Sequence, residues 1–157
     1  LNHSEKPLPY PVLAETIRRA DEVGLATIVC TDTVEESRAA ALLKPNIIVA
    51  EPTGLIGSGK TSDAAYIEAS TRAVKEIDPE IYVLQGAGIS SGTDVYRVIR
   101  AGAEATGSSS GVVLAGNRVA MVDEMVGAVR RAWDDRAAGC WATRRLADME
   151  SSERIIY

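Results

Sequence analysis

NIIVAEPTGLIGSGKT, residues 46–61, holds an apolar run of strand length, a glutamate, a proline and a glycine-rich turn, and how these parts divide decides the fold. Its second half, GLIGSGKT (54–61), is the G-x-x-x-x-G-K-[ST] pattern in which backbone N–H groups cradle nucleotide phosphates, with the lysine as a point charge and the hydroxyl on Mg²⁺. That chemistry needs the first glycine directly off the strand and a helix beginning at Lys-Thr, so that the helix N-terminus continues the cradle. Here Glu51, Pro52 and Thr53 stand between strand and glycine, and Ser62 and Asp63 supply capping side chains only after Lys60 and Thr61. A later strand should bring a carboxylate for the metal, yet IYVLQ (81–85) ends in Gln85, and Asp32, which ends ATIVCTD (26–32), precedes the loop. A P-loop NTPase using GLIGSGKT is therefore the less favoured reading, and the glutamate before the loop asks for an explanation of its own.

On either side of this stretch helix and strand signals alternate. VLAETIRRADEV (12–23) puts Leu13, Ile17 and Ala20 on one helical face, with Gly24 as C-cap. Thr33 and Glu36 form a capping-box pattern opening TVEESRAAALLK (33–44), which Pro45 stops. Further helices are expected over AAYIEASTRAVKEI (64–77), TDVYRVIR (93–100) and VAMVDEMVGAVRRAWDDRAA (119–138), with another in RRLADMESSER (144–154). ATIVCTD, NIIVAEP (46–52) and IYVLQGAG (81–88) read as strands, and EATGSSSGVV (104–113) sits where a fourth belongs. Strands alternating with such helices mean βαβ units and a parallel sheet with right-handed crossovers.

Composition agrees and excludes several classes of function. A chain of 157 residues with 46% hydrophobic and 25% charged residues suits one globular domain. Aromatic residues are only 4% and Phe is absent, so the core must be Ala, Val, Ile and Leu, the residues of buried parallel strands. A net charge of −5, with no basic run longer than a pair, leaves no footprint for nucleic acid. Cys30 and Cys140 make neither a disulfide framework nor a zinc spacing, which points to a reducing, cytoplasmic setting and no metal. No apolar stretch approaches the ~20 residues that span a bilayer, and the first residues lack the pattern of a signal peptide, so no membrane partner is expected. Leu1 in place of Met is read as something other than the natural start.

Four stretches in order, NHSEK (2–6), VAEPTGLIGSG (49–59), GAGIS (86–90) and SSGVV (109–113), resemble the C-terminal part of the triosephosphate isomerase family, above all its short, archaeal-type branch, over roughly residues 1–136. The resemblance implies an α/β fold: a partial (β/α)8 TIM barrel, about the C-terminal half, with four parallel strands and flanking helices over residues 1–138. Residues 139–157 would then be a C-terminal extension, helical or disordered. It also implies the interconversion of dihydroxyacetone phosphate and glyceraldehyde 3-phosphate through an enediolate, in glycolysis and gluconeogenesis, with no metal or organic cofactor. GLIGSGK becomes the mobile loop that closes over the substrate phosphate, with Pro52 and the pair Gly57 and Gly59 as hinge chemistry.

Residue roles follow from the same resemblance. Glu51 matches the catalytic base. His3, the only histidine, matches the electrophile, a neutral imidazole held near a helix N-terminus, a tuning already known for that enzyme and not read from this chain. Glu5 matches a carboxylate that pairs with an active-site lysine, and Ser4 a residue that holds the base at rest. Gly57, Gly88, Ser109 and Ser110 would bind the phosphate through backbone N–H groups, in the loops where such barrels place it. Cys30 matches a cysteine beside the base, but by its own residue type it is a small buried side chain with no catalytic role assigned.

Three departures shape the remaining expectations. A full barrel takes about 250 residues, whereas this sequence starts at the end of what would be strand four, without the lysine of strand one. Removing a preorganised electrostatic group of that kind costs ~10²–10³ in rate, and neither Lys6 nor Lys60 is placed to replace it, so the chain by itself is expected to be weak or inactive. ATGSS stands where strand eight needs an apolar run, and the tail GCWATRRLADMESSERIIY (139–157) exceeds the family's end, with Trp141, Leu146 and Ile155 available to cover bare surface. Open sheet edges and a bare apolar face predict a homo-oligomer or association with the missing N-terminal half. A non-isomerase phosphate-binding half-barrel remains the alternative beside the P-loop reading.

Overall fold

Burial alternates with a period of two along two of the four strands, and that alternation sets the architecture. In the computed structural model, which describes the backbone of residues 1–152 and the side chains of residues 1–139, four strands form one sheet: β1 (Ile28–Thr31), β2 (Ile47–Ala50), β3 (Tyr82–Gln85) and β4 (Ala105–Thr106). Their spatial order is their chain order and every neighbouring pair is parallel, with Val29 opposite Ile48 and Ile48 opposite Val83. Val29, Ile48, Ala50 and Val83 are buried on one face, while Ile28 and Tyr82, one residue out of phase, are 46% and 59% exposed on the other.

Helices cover only the first face. α1 (Tyr10–Glu22), α2 (Val34–Ala41) and α3 (Ala64–Lys75) bring Leu13, Ile17, Ala40, Ala41 and Val74 onto Val29, Ile48 and Val83. A second cluster joins Ile67 of α3 to Val95, Val98 and Ile99 of α4 (Gly92–Arg100) and to Met125, Ala128 and Ala132 of α6 (Arg118–Ser152). A 3-10 turn (Thr53–Leu55) and the four-residue α5 (Ser110–Val113) stand at the C-terminal ends of the strands.

Local chemistry sets the helix limits. Gly24 takes φ +75 just past α1, as the C-cap reading requires. Thr33 Oγ1 accepts the Glu36 N–H at 3.1 Å, and Glu36 Oε2 returns to accept the N–H of Asp32 at 2.8 Å, one residue before the usual partner. Asp63 and Ser91 cap α3 and α4 by accepting the N–H groups of Tyr66 and Asp94. The Leu1 ammonium donates to the Ile28 carbonyl at 2.6 Å and the Cys30 N–H donates to the Leu1 carbonyl at 2.9 Å, so the first residue lies beside β1 as a further parallel rung.

Two expectations need revision. The strand expected over 104–113 contracts to Ala105–Thr106, because ATGSS offers no β-branched run, and Ser110 already opens α5. Two closing helices become one, since α6 runs unbroken through Gly139 to Ser152; a lone glycine lowers helix propensity by about 1 kcal/mol without stopping the helix. The side chains of Trp141 and Leu146, and all of Ile155, lie outside the described residues. No helix among the described residues is long and apolar enough to cross a membrane.

Candidate active site

The parallel register delivers Glu51 to the end of β2. Its N–H donates to the Thr31 carbonyl at 2.9 Å, extending the ladder by one residue and placing its side chain on the same face as Ile47 and Val49. Gly86 makes room for it, since a Cβ there would lie 3.0 Å from Glu51 Oε2. Burial pushes the Glu51 carboxyl up from its ordinary value, and the charge of His3 partly opposes that rise. The result is a carboxylate held short of full solvation beside an imidazole.

His3 is fixed by a turn. Lys6 N–H closes the turn onto the His3 carbonyl at 2.7 Å, and Glu5 N–H donates to His3 Nδ1 at 3.3 Å. A ring that accepts at Nδ1 and is neutral carries its proton on Nε2, so Nε2 is the donor available to a ligand. The helix N-terminus expected beside the ring is not there: α1 begins at Tyr10, after Pro7 and Pro9, and it is turn backbone that reaches the imidazole.

The phosphate-binding expectation concerns four backbone N–H groups. Those of Gly57, Gly88, Ser109 and Ser110 donate to no protein acceptor among the described residues. Gly57 and Gly88 adopt φ +69 and +71. Gly88 is also a packing requirement, since a Cβ there would meet the Lys60 carbonyl oxygen at 1.9 Å. Gly111 is also closely packed, its Cβ position lying 2.7 Å from the Ile89 carbonyl, and Ser108 donates to that carbonyl at 2.7 Å. The loops after β3 and β4 are thereby locked together.

His3, Glu51, Gly57, Gly88, Ser109 and Ser110 all line one cleft of about 430 Å³, floored by Val49, Leu84 and Gly86. No lysine or arginine is among its lining residues. Ser4 stands outside it, lining an adjoining cavity of about 450 Å³ that shares Glu51 with the cleft and also holds Cys30, and makes no hydrogen bond to the base. Glu5 is exposed, and its carboxylate forms no ion pair among the described residues. Burial, with the charge of Glu51, pushes the Cys30 thiol up, which makes it a poor nucleophile. Gly86 and Gly111 carry structural duties that the sequence reading left unassigned, although both lie in motifs it quoted.

Nucleotide chemistry fits poorly. Asp63 caps α3, which starts at Ala64, so Lys60 and Thr61 precede the helix instead of opening it. Ser58 Oγ accepts the Lys60 N–H at 3.1 Å, and Thr61 Oγ1 is buried without a hydrogen-bond partner. Asp32, the candidate metal carboxylate, accepts the Thr53 N–H at 2.7 Å. No group of three His, Cys, Asp or Glu stands close enough to hold a metal among the described residues.

The family model described as triosephosphate isomerase matches residues 1–125. The triosephosphate isomerase of Methanothermus fervidus is 39% identical over 129 residues, which is 80% of this chain and 58% of that protein. That of Sulfolobus acidocaldarius is 38% identical over 138 residues, 87% of this chain and 60% of its own length. The chain thus spans about 58–60% of the length of these curated relatives. Among solved structures, the Amycolatopsis orientalis BexX/CysO complex superposes with a TM-score of 0.64 at 19% identity, over 85% of this chain and 53% of the other, a likeness of fold alone.

Proposed function

Since the chain belongs to the triosephosphate isomerase family, we propose that it carries the base, the electrophile and the phosphate-holding loops of a site interconverting dihydroxyacetone phosphate and glyceraldehyde 3-phosphate. The Glu51 carboxylate takes a proton from the carbon beside the carbonyl while His3 Nε2–H donates to the carbonyl oxygen, giving an enediolate. Return of the proton to the neighbouring carbon, with the hydroxyl proton passing from one enediolate oxygen to the other, completes the isomerisation with no net change in protons or electrons. The substrate phosphate sits against the free N–H groups of Gly57, Gly88, Ser109 and Ser110, beside the N-terminal end of α5. The observation that carries this reading is the convergence of all six residues on one cleft at the C-terminal ends of parallel strands.

The cleft's lack of a cationic side chain limits what these residues do by themselves. An enediolate and a phosphate both carry negative charge, and neutral N–H dipoles with one imidazole stabilise them less than a fixed cation would. The reading therefore assigns a cation, and cover for the open face around Ile28 and Tyr82, to a complementary set of barrel strands or a second copy, with residues 139–157 as an extension beyond the barrel. Triose phosphates and an unpaired Cys30 both suit the cytoplasm.

A coupled isomerase assay with glyceraldehyde 3-phosphate tests this. Glu51→Gln is expected to lower the rate roughly 10²–10⁴-fold, the range for a positioned general base. An isomerase rate that Glu51→Gln leaves unchanged would overturn the assignment. Inorganic phosphate binding that Gly88→Ala abolishes, in a chain without isomerase activity, would favour a phosphate-binding half-barrel instead.

A further inference from the structure

We propose that Asp32 is a positioning residue that pins both ends of the glycine-rich loop and so fixes the direction in which Glu51 leaves its strand. The consequence for Glu51 rests on the isomerase reading; the geometry does not. β1 and β2 pair with Thr31 opposite Ala50, and Glu51 N–H adds a rung by donating to the Thr31 carbonyl. In a parallel ladder the next rung would run from the N–H of residue 53 to the carbonyl of residue 33. That carbonyl is already engaged, because Thr33 has become the N-cap of α2 and accepts the Ser37 N–H at 3.0 Å. The carboxylate of Asp32 takes its place and accepts the Thr53 N–H at 2.7 Å. A side chain thereby continues a strand pairing that the backbone has abandoned.

The backbone of the same residue holds the other end. The Asp32 carbonyl accepts the Tyr66 hydroxyl at 2.8 Å, and Tyr66 lies in the first turn of α3, directly after the loop. Asp32 is itself held, since its N–H donates to Glu36 Oε2 at 2.8 Å. Burial and the surrounding charges of Asp32, Glu36 and Glu51 push the Tyr66 phenol up, so it stays a hydrogen-bond donor across the physiological range. With Thr53 and Tyr66 both tied to one residue, loop motion is confined to the segment between them, where Gly57 and Gly59 take φ +69 and +70. Glu51, two residues before the first tie, keeps its backbone direction while the tip moves.

Amide hydrogen exchange on the full chain, followed by NMR with and without inorganic phosphate, tests the clamp in Asp32→Ala, Asp32→Asn and Tyr66→Phe. Asp32→Ala is expected to speed exchange at Thr53 roughly ten- to a hundredfold, the size of a lost hydrogen bond to a charged group. Asp32→Asn keeps an acceptor and recovers most of that protection, and Tyr66→Phe speeds exchange in the first turn of α3 while leaving Thr53 protected. Asp32 is exposed, so its variants should melt close to wild type. Exchange at Thr53 unchanged in Asp32→Ala, or as fast in Asp32→Asn as in Asp32→Ala, would overturn the clamp. Failure of inorganic phosphate to protect Gly57 and Gly88 in a wild type with Thr53 protected would count against the phosphate-site reading and leave the clamp standing.

Discussion

Glu51 shows how a side chain can be costly to the fold and necessary to the chemistry. Its carboxyl is raised from an ordinary value of 4.5, chiefly by burial. The folded state therefore binds the proton more tightly than the unfolded state, so the associated stability is fully present below 4.5 and is lost as pH rises through the folded value. Glu51→Gln, which cannot ionise, should melt above wild type at pH 7 and close to it at pH 4, while losing activity. Scanning fluorimetry at the two pH values checks this, and a Tm difference that does not change with pH would mean that ionisation of the carboxyl is not responsible. Two glycines separate conformation from packing. At Gly57 an added Cβ meets nothing within 4 Å, so Gly57→Ala costs only the left-handed backbone, about 1–2 kcal/mol. At Gly88 the same strain adds to a 1.9 Å approach to the Lys60 carbonyl. Gly88→Ala should therefore cost more than Gly57→Ala in denaturant titrations and should open the cleft to the point of losing phosphate binding.

At the scale of elements, the turn from β1 into α2 couples helix capping to the site. Thr33 Oγ1 satisfies one helix N–H, and Glu36 reaches back to the Asp32 backbone. Thr33→Ala should cost about 1 kcal/mol, as lost N-caps do, and loosen the Asp32 backbone with it; a fall in Tm with unchanged exchange at Thr53 would separate the two effects. Much of this was legible in the sequence. The capping pair, the alternation of strands with helices and the glutamate ahead of the glycine-rich turn are local signals, written within a few residues of one another. The Asp32 to Thr53 bond was not legible, because it joins residues 21 apart and exists only once the β1–β2 register is set. His3 was legible as a residue of the cleft through its motif, but its partner was not, since Pro7 and Pro9 delay α1 and leave a turn to supply the N–H. Glu5 matches a carboxylate whose lysine partner the resemblance places outside this sequence, and its side chain is exposed.

Across the whole molecule, apolar surface is distributed as though something else were to cover it. A barrel interior is packed in layers by inward-facing strand residues, yet here, among the described residues, Val49 alone on that face is buried, and Ile28 and Tyr82, at the ends of their strands away from the cleft, are exposed. α6 repeats the pattern: Met125, Ala128 and Ala132 are buried against α4, while Val119 and Val126, on a different side of the helix, are 72% and 63% exposed. Covering a large apolar side chain is worth about 1.5–3 kcal/mol, so the inner face and the valine side together supply a substantial drive to associate. They lie on different elements, and one partner that completes the sheet and continues around to α6 would cover both, whereas a copy docked on the inner face alone leaves the valines exposed. Analytical ultracentrifugation should find the chain heavier than one copy, with Tyr82→Lys returning it toward a single copy and helix content by circular dichroism unchanged. Val126→Lys distinguishes the two arrangements. If the partner wraps from sheet to helix, both lysines weaken association by similar amounts; if copies meet only across the strands, Tyr82→Lys acts and Val126→Lys does not.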